Sequence, residues 1–259
     1  MKTFPDLRRS KRQPILDTRP KKKRVGLIIL ATDHTTEPDF HRMVASDDIG
    51  IYVSRIPYAN PTTPTNLRAM QPTLTRGASY LLPEEELDAI CYSCTSASVV
   101  IGDEAVQAAI NEAKPGIPVV TPADASVLAL TALRARKISI LTPYAEETTL
   151  PVAEYFAKRG FNITAVTCLG FTDDREMARI SPASLIDLAS EAITDDADAL
   201  FISCTAVRAA SAAPEIERVT GRPLVSSNLA TAWRCLRLCN DRQMRPQLGR
   251  LMALPAASA

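Results

Sequence analysis

Two similar α/β lobes, each an open parallel sheet covered by helices, are the architecture that this sequence predicts. Three observations predict it. From Val25 onward, short apolar runs rich in β-branched residues alternate with helical segments, the pattern of parallel strands joined by helical crossovers. Landmarks recur at nearly one spacing, from 105 to 113 residues: Asp88-Ala-Ile-Cys-Tyr-Ser-Cys94-Thr95 is matched 110 residues later by Asp198-Ala-Leu-Phe-Ile-Ser-Cys204-Thr205. The chain has 259 residues, 46% hydrophobic and 23% charged, a globular balance with enough apolar surface for a sizeable core.

The repeat extends beyond the cysteine segments. Ile29-Leu30, a polar loop and Thr35-Thr36 are echoed by Ile140-Leu141, a polar loop and Thr148-Thr149, and Pro118-Val-Val-Thr by Pro223-Leu-Val-Ser. A unit of about 110 residues is a domain, far longer than a solenoid repeat. The two halves are therefore expected to be related by a pseudo-twofold.

Strands are predicted in the apolar runs Val25–Leu30, Ile49–Arg55, Ala89–Ser93, Val119–Thr121, Ile138–Leu141, Ile163–Thr167, Ala199–Ser203 and Leu224–Ser226. The Pro57, Pro61, Pro64 stretch reads as a loop leading into a helix over Thr65–Leu82. Further helices are predicted at Gly102–Ala113, Ala123–Arg134, Leu150–Arg159, Pro182–Ala192 and Asn228–Leu238, and each Ser-Cys-Thr is expected to lead into a helix. Residues 25–135 form the first lobe, with a chain crossover near its end, and 136–240 the second; 1–24 are a flexible basic extension and 241–259 a tail.

Several function classes are excluded. The nine glycines never stand closer than Gly160 and Gly170, so neither a dinucleotide fingerprint, a phosphate loop nor a G-x-S-x-G elbow can be written. His34 and His41 are the only histidines, too few for a histidine-rich metal centre. No apolar stretch approaches a bilayer span and no secretion segment precedes Val25, which makes the cytoplasm the default compartment and thiols the default state of the six cysteines. Residues 1–24 carry a local charge of +8 in a chain of net charge +1, leaving −7 for the remainder. That segment lacks hydrophobic periodicity and reads as a solvated arm, with no nucleic-acid or membrane partner expected.

The duplicated cysteines carry the chemistry. Cys94 and Cys204 stand at the carboxyl ends of strands in open α/β sheets, where ligands bind. Amides at a following helix start stabilise a thiolate and draw its pKa toward neutrality. Two such halves facing each other put two thiols on opposite sides of one cleft. Cys168, Cys235 and Cys239 read as small apolar packing residues. Cys91-x-x-Cys94 lies on a strand, where positions i and i+3 point to opposite faces, so it reads as a packed residue beside a functional one rather than a redox or zinc motif.

Val25-Gly-Leu-Ile-Ile-Leu-Ala-Thr-Asp33-His-Thr-Thr-Glu37, the two Ser-Cys-Thr segments and Leu141-Thr-Pro-Tyr144 resemble the aspartate/glutamate racemase superfamily, in the branch of maleate cis-trans isomerases and arylmalonate decarboxylases. Within it, Ala31-Thr-Asp-His-Thr-Thr-Glu-Pro38 with Ile56-Pro-Tyr-Ala-Asn-Pro61 most resembles the racemase-like proteins of ectoine utilisation. The likeness covers about residues 25 to 240. It implies cofactor-independent, metal-free chemistry at a carbon beside a carboxylate, in a homo-oligomer. In racemases of this kind one thiolate removes the α proton and the opposite thiol delivers another, the roles implied for Cys94 and Cys204. In the isomerases the first cysteine instead adds to a double bond. The decarboxylases keep a cysteine only at the second position, so the presence of both demotes decarboxylation.

The hydroxyls and amides of Thr95, Ser96 and Thr205 are expected to hold the substrate carboxylate and its enediolate, and the resemblance adds Tyr144. The isomerases have asparagine where this chain has Asp33, and a second asparagine where it has Asp174. An aspartate near the substrate repels a dicarboxylate and favours an ammonium group, so the expected substrate carries both a carboxylate and a cationic nitrogen. The ectoine-type likeness points to a diaminobutyrate derivative. His34 reads as either a tuning group or a surface residue, and His41 as structural. The alternatives are a maleate-type cis-trans isomerase and a catalytically silent ligand-binding homologue.

Overall fold

Each half of the chain folds into a four-stranded, all-parallel sheet, and the two sheets have the same strand order. In the computed structural model, which describes residues 7–255, β1 (Lys23–Leu30), β2 (Ile49–Ile56), β3 (Ala89–Ser93) and β4 (Val119–Val120) are arranged β2-β1-β3-β4. Strands β5 (Lys137–Tyr144), β6 (Asn162–Phe171), β7 (Ala199–Ile202) and β8 (Leu224–Ser226) are arranged β6-β5-β7-β8. All eight predicted strands form. In register, Leu27 stands between Val53 and Cys91, and Ile140 between Val166 and Phe201. The central strands are buried almost throughout, which is why they read as unbroken apolar runs.

The helices of the first half are α1 (Thr36–Met43), α2 (Pro64–Arg68), α3 (Leu74–Ser79), α4 (Thr95–Ile101), α5 (Asp103–Ala113) and α6 (Pro122–Ala132). Those of the second are α7 (Glu146–Lys158), α8 (Asp174–Met177), α9 (Pro182–Ala192), α10 (Ala209–Thr220) and α11 (Ser227–Leu238). The single helix expected over Thr65–Leu82 is broken into α2, a 3-10 turn at Gln71–Thr73 and α3. Pro72 explains the break: it has no amide to continue the ladder, and its ring clashes with the preceding turn. Helix α4 follows Cys94 at once, whereas α10 begins only at Ala209, leaving Cys204 to Arg208 as an irregular turn.

One apolar core runs between the lobes, joining Leu27 and Ile29 of β1 to Ile140 of β5 and Phe201 of β7 through α6 and α11. A second, on the other face of the first sheet, gathers Ile28, Ile56, Leu67, Leu74, Tyr92 and Ile110. Helix α11 leaves the last strand of the second sheet yet packs on α6 and β3, so the chain returns to the first lobe at its end. Close approach of α3 to β2 requires Gly77, because a Cβ there would stand 2.7 Å from Ile56 Cγ2.

Residues 7–22 of the basic extension are irregular and mostly exposed. Its base is pinned by Lys22 to Asp48 at 2.9 Å and by Lys21 to the carbonyls of Ser46 and Asp47. Residues 1–6 of that arm and 256–259 of the predicted tail lie outside the described residues. The rest of the tail is anchored in part: Leu248, Leu251 and Met252 are buried, and the Arg250 amide donates to Glu217 on α10. No helix among the described residues is long and apolar enough to cross a membrane.

Candidate active site

Cys94, directly after β3, and Cys204, just beyond β7, open onto one shared cavity. Every residue singled out from the sequence lines it: Cys94, Thr95, Ser96 and Asp33 from the first lobe, Tyr144, Asp174, Cys204 and Thr205 from the second. Leu30, Tyr58, Thr62, Leu67, Met177 and Ala206 complete the wall. Among the described residues, no lysine, arginine or histidine contributes to it.

The two sulfurs are held differently. Cys94 caps α4 in an extended conformation, with the Ala97 amide and the Ser96 hydroxyl, 3.9 Å away, turned to its sulfur. Cys204 has φ +86°, a conformation rarely adopted by a residue with a side chain. Backbone strain of this kind concentrates at functional sites. The Cys204 sulfur stands 4.0 Å from Met177 Sδ, and the Tyr144 hydroxyl and the amides of Ala206 and Val207 favour its charged form.

Burial pushes both thiols up to about 12, although these hydrogen bonds favour the thiolate. The expectation of near-neutral thiols set by helix-start amides is therefore corrected. Desolvation outweighs the amides, and no helix begins at Cys204. Asp174 raises both thiols further, and charge on Cys204 raises Cys94. Ionising one sulfur thus keeps the other protonated, as a donor and acceptor pair requires.

The threonine hydroxyls are engaged inside the protein. Thr95 donates to Ser227 at 2.7 Å and Thr205 to the Ser93 carbonyl at 3.2 Å, so neither hydroxyl proton faces the cavity as expected. The Thr95 and Ser96 amides, in the first turn of α4, precede the first intrahelical donor and remain for an anion.

The two aspartates differ as well. Asp33 accepts from the Thr35 and Thr36 amides, both at 2.8 Å, and from the Thr36 hydroxyl at 2.7 Å; burial raises its pKa against these bonds. It therefore also braces the turn into α1. Asp174, only 5% exposed, accepts from the Thr32 hydroxyl and from Asn60 Nδ2 at 2.9 Å. Asn60 belongs to a first-lobe loop that reaches the second lobe through Thr62, whose amide donates to Thr172 and whose carbonyl accepts from Thr148.

Tyr58, Thr62 and Met177 escaped sequence reasoning. Tyr58 sits inside the Ile56-to-Pro61 motif and pairs with Thr62 at 2.6 Å, and Met177 closes the Asp173-Asp174-Arg175-Glu176-Met177 segment that carries Asp174, so both motifs were available signals. His34 and His41 are exposed. Glu37 also points away, pairing with Arg55 at 2.9 Å. Cys91 and Cys94 belong to different cores, on opposite faces of the first sheet, and do not chelate. Cys235 and Cys239 are buried as expected, but Cys168 is exposed because β6 is an edge strand.

The repeated sheet order and the thiol offered by each half to a common cavity define a pseudosymmetric, two-lobed α/β protein of the cysteine-paired type. The sequence profile of the arylmalonate decarboxylase family matches residues 74–252. The chain belongs to that family, in the branch of the aspartate/glutamate racemase superfamily that includes the maleate isomerases. It is 34% identical over 150 residues to arylmalonate decarboxylase of Bordetella bronchiseptica, an alignment spanning 57% of this chain and 62% of that enzyme. It is 25% identical to maleate isomerase of Geobacillus stearothermophilus over 89% of this chain and 97% of the other. A mutant of Nocardia farcinica maleate cis-trans isomerase, solved with a covalently bound succinylcysteine intermediate, superposes with a TM-score of 0.81 at 24% identity, covering 89% of this chain and 98% of that one.

Proposed function

We propose that the chain is a cofactor-independent racemase acting on a small amino acid or N-acyl amino acid with a cationic nitrogen, a diaminobutyrate derivative being the best fit. One observation carries the reading: a buried thiol from each lobe lines a single cavity that, among the described residues, also holds two aspartates and no cationic side chain. A dicarboxylate would be repelled by these carboxylates, of which Arg55 offsets only Asp33 and from behind the lining, whereas an ammonium group would offset both.

The thiols and the substrate charge support one another. Burial and Asp174 favour the protonated form of both sulfurs. A cation beside Asp174 cancels its influence and eases loss of one thiol proton. That thiolate takes the α proton, the electron pair passes into the carboxylate as an enediolate, and the opposite thiol returns a proton to the other face. The Thr95 and Ser96 amides are the donors suited to the enediolate oxygens.

A second reading, cis-trans isomerisation by thiol addition to a double bond, is favoured by the likeness to maleate isomerases. Deuterium oxide separates the two. With amino acids, N-acyl amino acids and 2,4-diaminobutyrate derivatives, the racemase reading expects solvent deuterium at the α carbon by NMR. Conversion of maleate to fumarate, with no α exchange into any amino acid, would replace it by the second reading.

A further inference from the structure

The turn after Cys204 is held by two side chains from elsewhere in the fold. A trans peptide is planar, so its N–H and C=O point in opposite directions, and fixing one aims the other. The amides of the Thr205–Ala206 and Ala206–Val207 peptides favour the charged form of the Cys204 sulfur, which itself stands 4.0 Å from Met177 Sδ. On the far side, the Thr205 carbonyl accepts from Asn228 Nδ2 at 2.9 Å and the Ala206 carbonyl accepts from Thr35 Oγ1 at 2.7 Å. Each peptide that serves the sulfur is thus clamped by its carbonyl.

Asn228 is itself oriented. Its Nδ2 also donates to Asp39 Oδ2 at 3.0 Å, and Arg42 holds the other oxygen of that carboxylate at 2.8 Å. Both neighbours of Nδ2 can only accept, which fixes the amide orientation. Its Oδ1 is left buried without a partner, a cost that side chains retained for packing alone rarely carry. The first half does without the device, because the Ala97 amide reaching Cys94 belongs to α4 and its geometry comes from the helix.

We infer that Asn228 and Thr35 are positioning residues for Cys204: by clamping the Thr205 and Ala206 carbonyls they fix the two peptides that follow it and maintain the left-handed turn that presents its sulfur. Asp39 orders Asn228 in turn. The functional meaning rests on the reading of Cys204 as an acting sulfur, but the test reads the thiol itself.

The rate of alkylation by iodoacetamide is followed at Cys204 and Cys94 together, by mass spectrometry of the full chain at one mildly alkaline pH. Asn228→Ala and Thr35→Val are expected to slow Cys204 on the order of tenfold, the effect of one lost hydrogen bond to a thiolate. Cys94 should be unchanged, and Thr35→Ser, which keeps the hydroxyl, should restore the parental rate. Equal change at both cysteines, or none at Cys204, overturns the inference. If Asn228→Ala fails to fold, the Thr35→Val and Thr35→Ser pair decides. Slowing confined to Cys204 in a protein that exchanges no α proton would leave the inference standing and remove the racemase reading.

Discussion

Thr205 donates its hydroxyl to the Ser93 carbonyl, 3.2 Å away, tying the turn that bears one cysteine to the strand end that bears the other. The reciprocal link runs from Thr95 to Ser227 at the start of α11. Spacing between the thiols is therefore set by hydrogen bonds across the lobes as well as by packing. Thr205→Val removes a donor from a buried site and should cost about 1–2 kcal/mol, read as a lower midpoint in chemical denaturation. Thr205→Ser should recover most of that loss.

Alkaline stability follows from the thiols. Burial pushes Cys94 and Cys204 up to about 12 in the folded chain, against an ordinary cysteine value of about 8.5 when unfolded. Above about 9 the unfolded state therefore holds fewer of these protons than the folded state. Stability is full below that pH and falls as pH rises toward 12, by about 1.4 kcal/mol per pH unit for each thiol. The Cys94→Ser, Cys204→Ser double variant should show a shallower alkaline decline in denaturation midpoint; identical slopes would contradict the assignment.

Asp174→Asn is expected to act in two directions. Asp174 raises both thiols, so its neutralisation lowers them and iodoacetamide should react faster at each. The same change removes the charge proposed to meet the substrate nitrogen, and KM for a cationic substrate should rise on the order of tenfold. A faster thiol with an unchanged KM would leave Asp174 as a tuning group alone.

The sheets were legible because parallel strands buried on both faces leave long β-branched runs, and the repeat at 110 residues paired their ends. Cys94 and Cys204 were legible for the same reason, standing at equivalent points of a duplicated segment. What was not legible depended on competition between forces. The thiol pKa values turn on burial, which a helix-start argument does not contain. Thr95 and Thr205 are drawn to partners far away in sequence, Ser227 and Ser93, and their hydroxyl directions follow from how the lobes meet. Asn228 fell at the start of a correctly expected helix, where its side chain looked like ordinary helix entry until Thr205 and Asp39 came beside it.

Removing one thiol at a time gives the sharpest expectation. In a two-base exchange each sulfur faces one side of the α carbon, so each thiolate attacks only one enantiomer. Cys94→Ala should then exchange deuterium into the enantiomer whose proton faces Cys204, and Cys204→Ala into the other, in both cases with retention. Net racemisation should fall by about a hundredfold or more in both, since one proton transfer loses its catalyst. Addition of a thiol to a double bond predicts no such mirror pattern, because a single sulfur forms the bond to carbon. Chiral chromatography with NMR on the two variants distinguishes these outcomes, and exchange into the same enantiomer in both would remove the opposed-thiol arrangement from the mechanism.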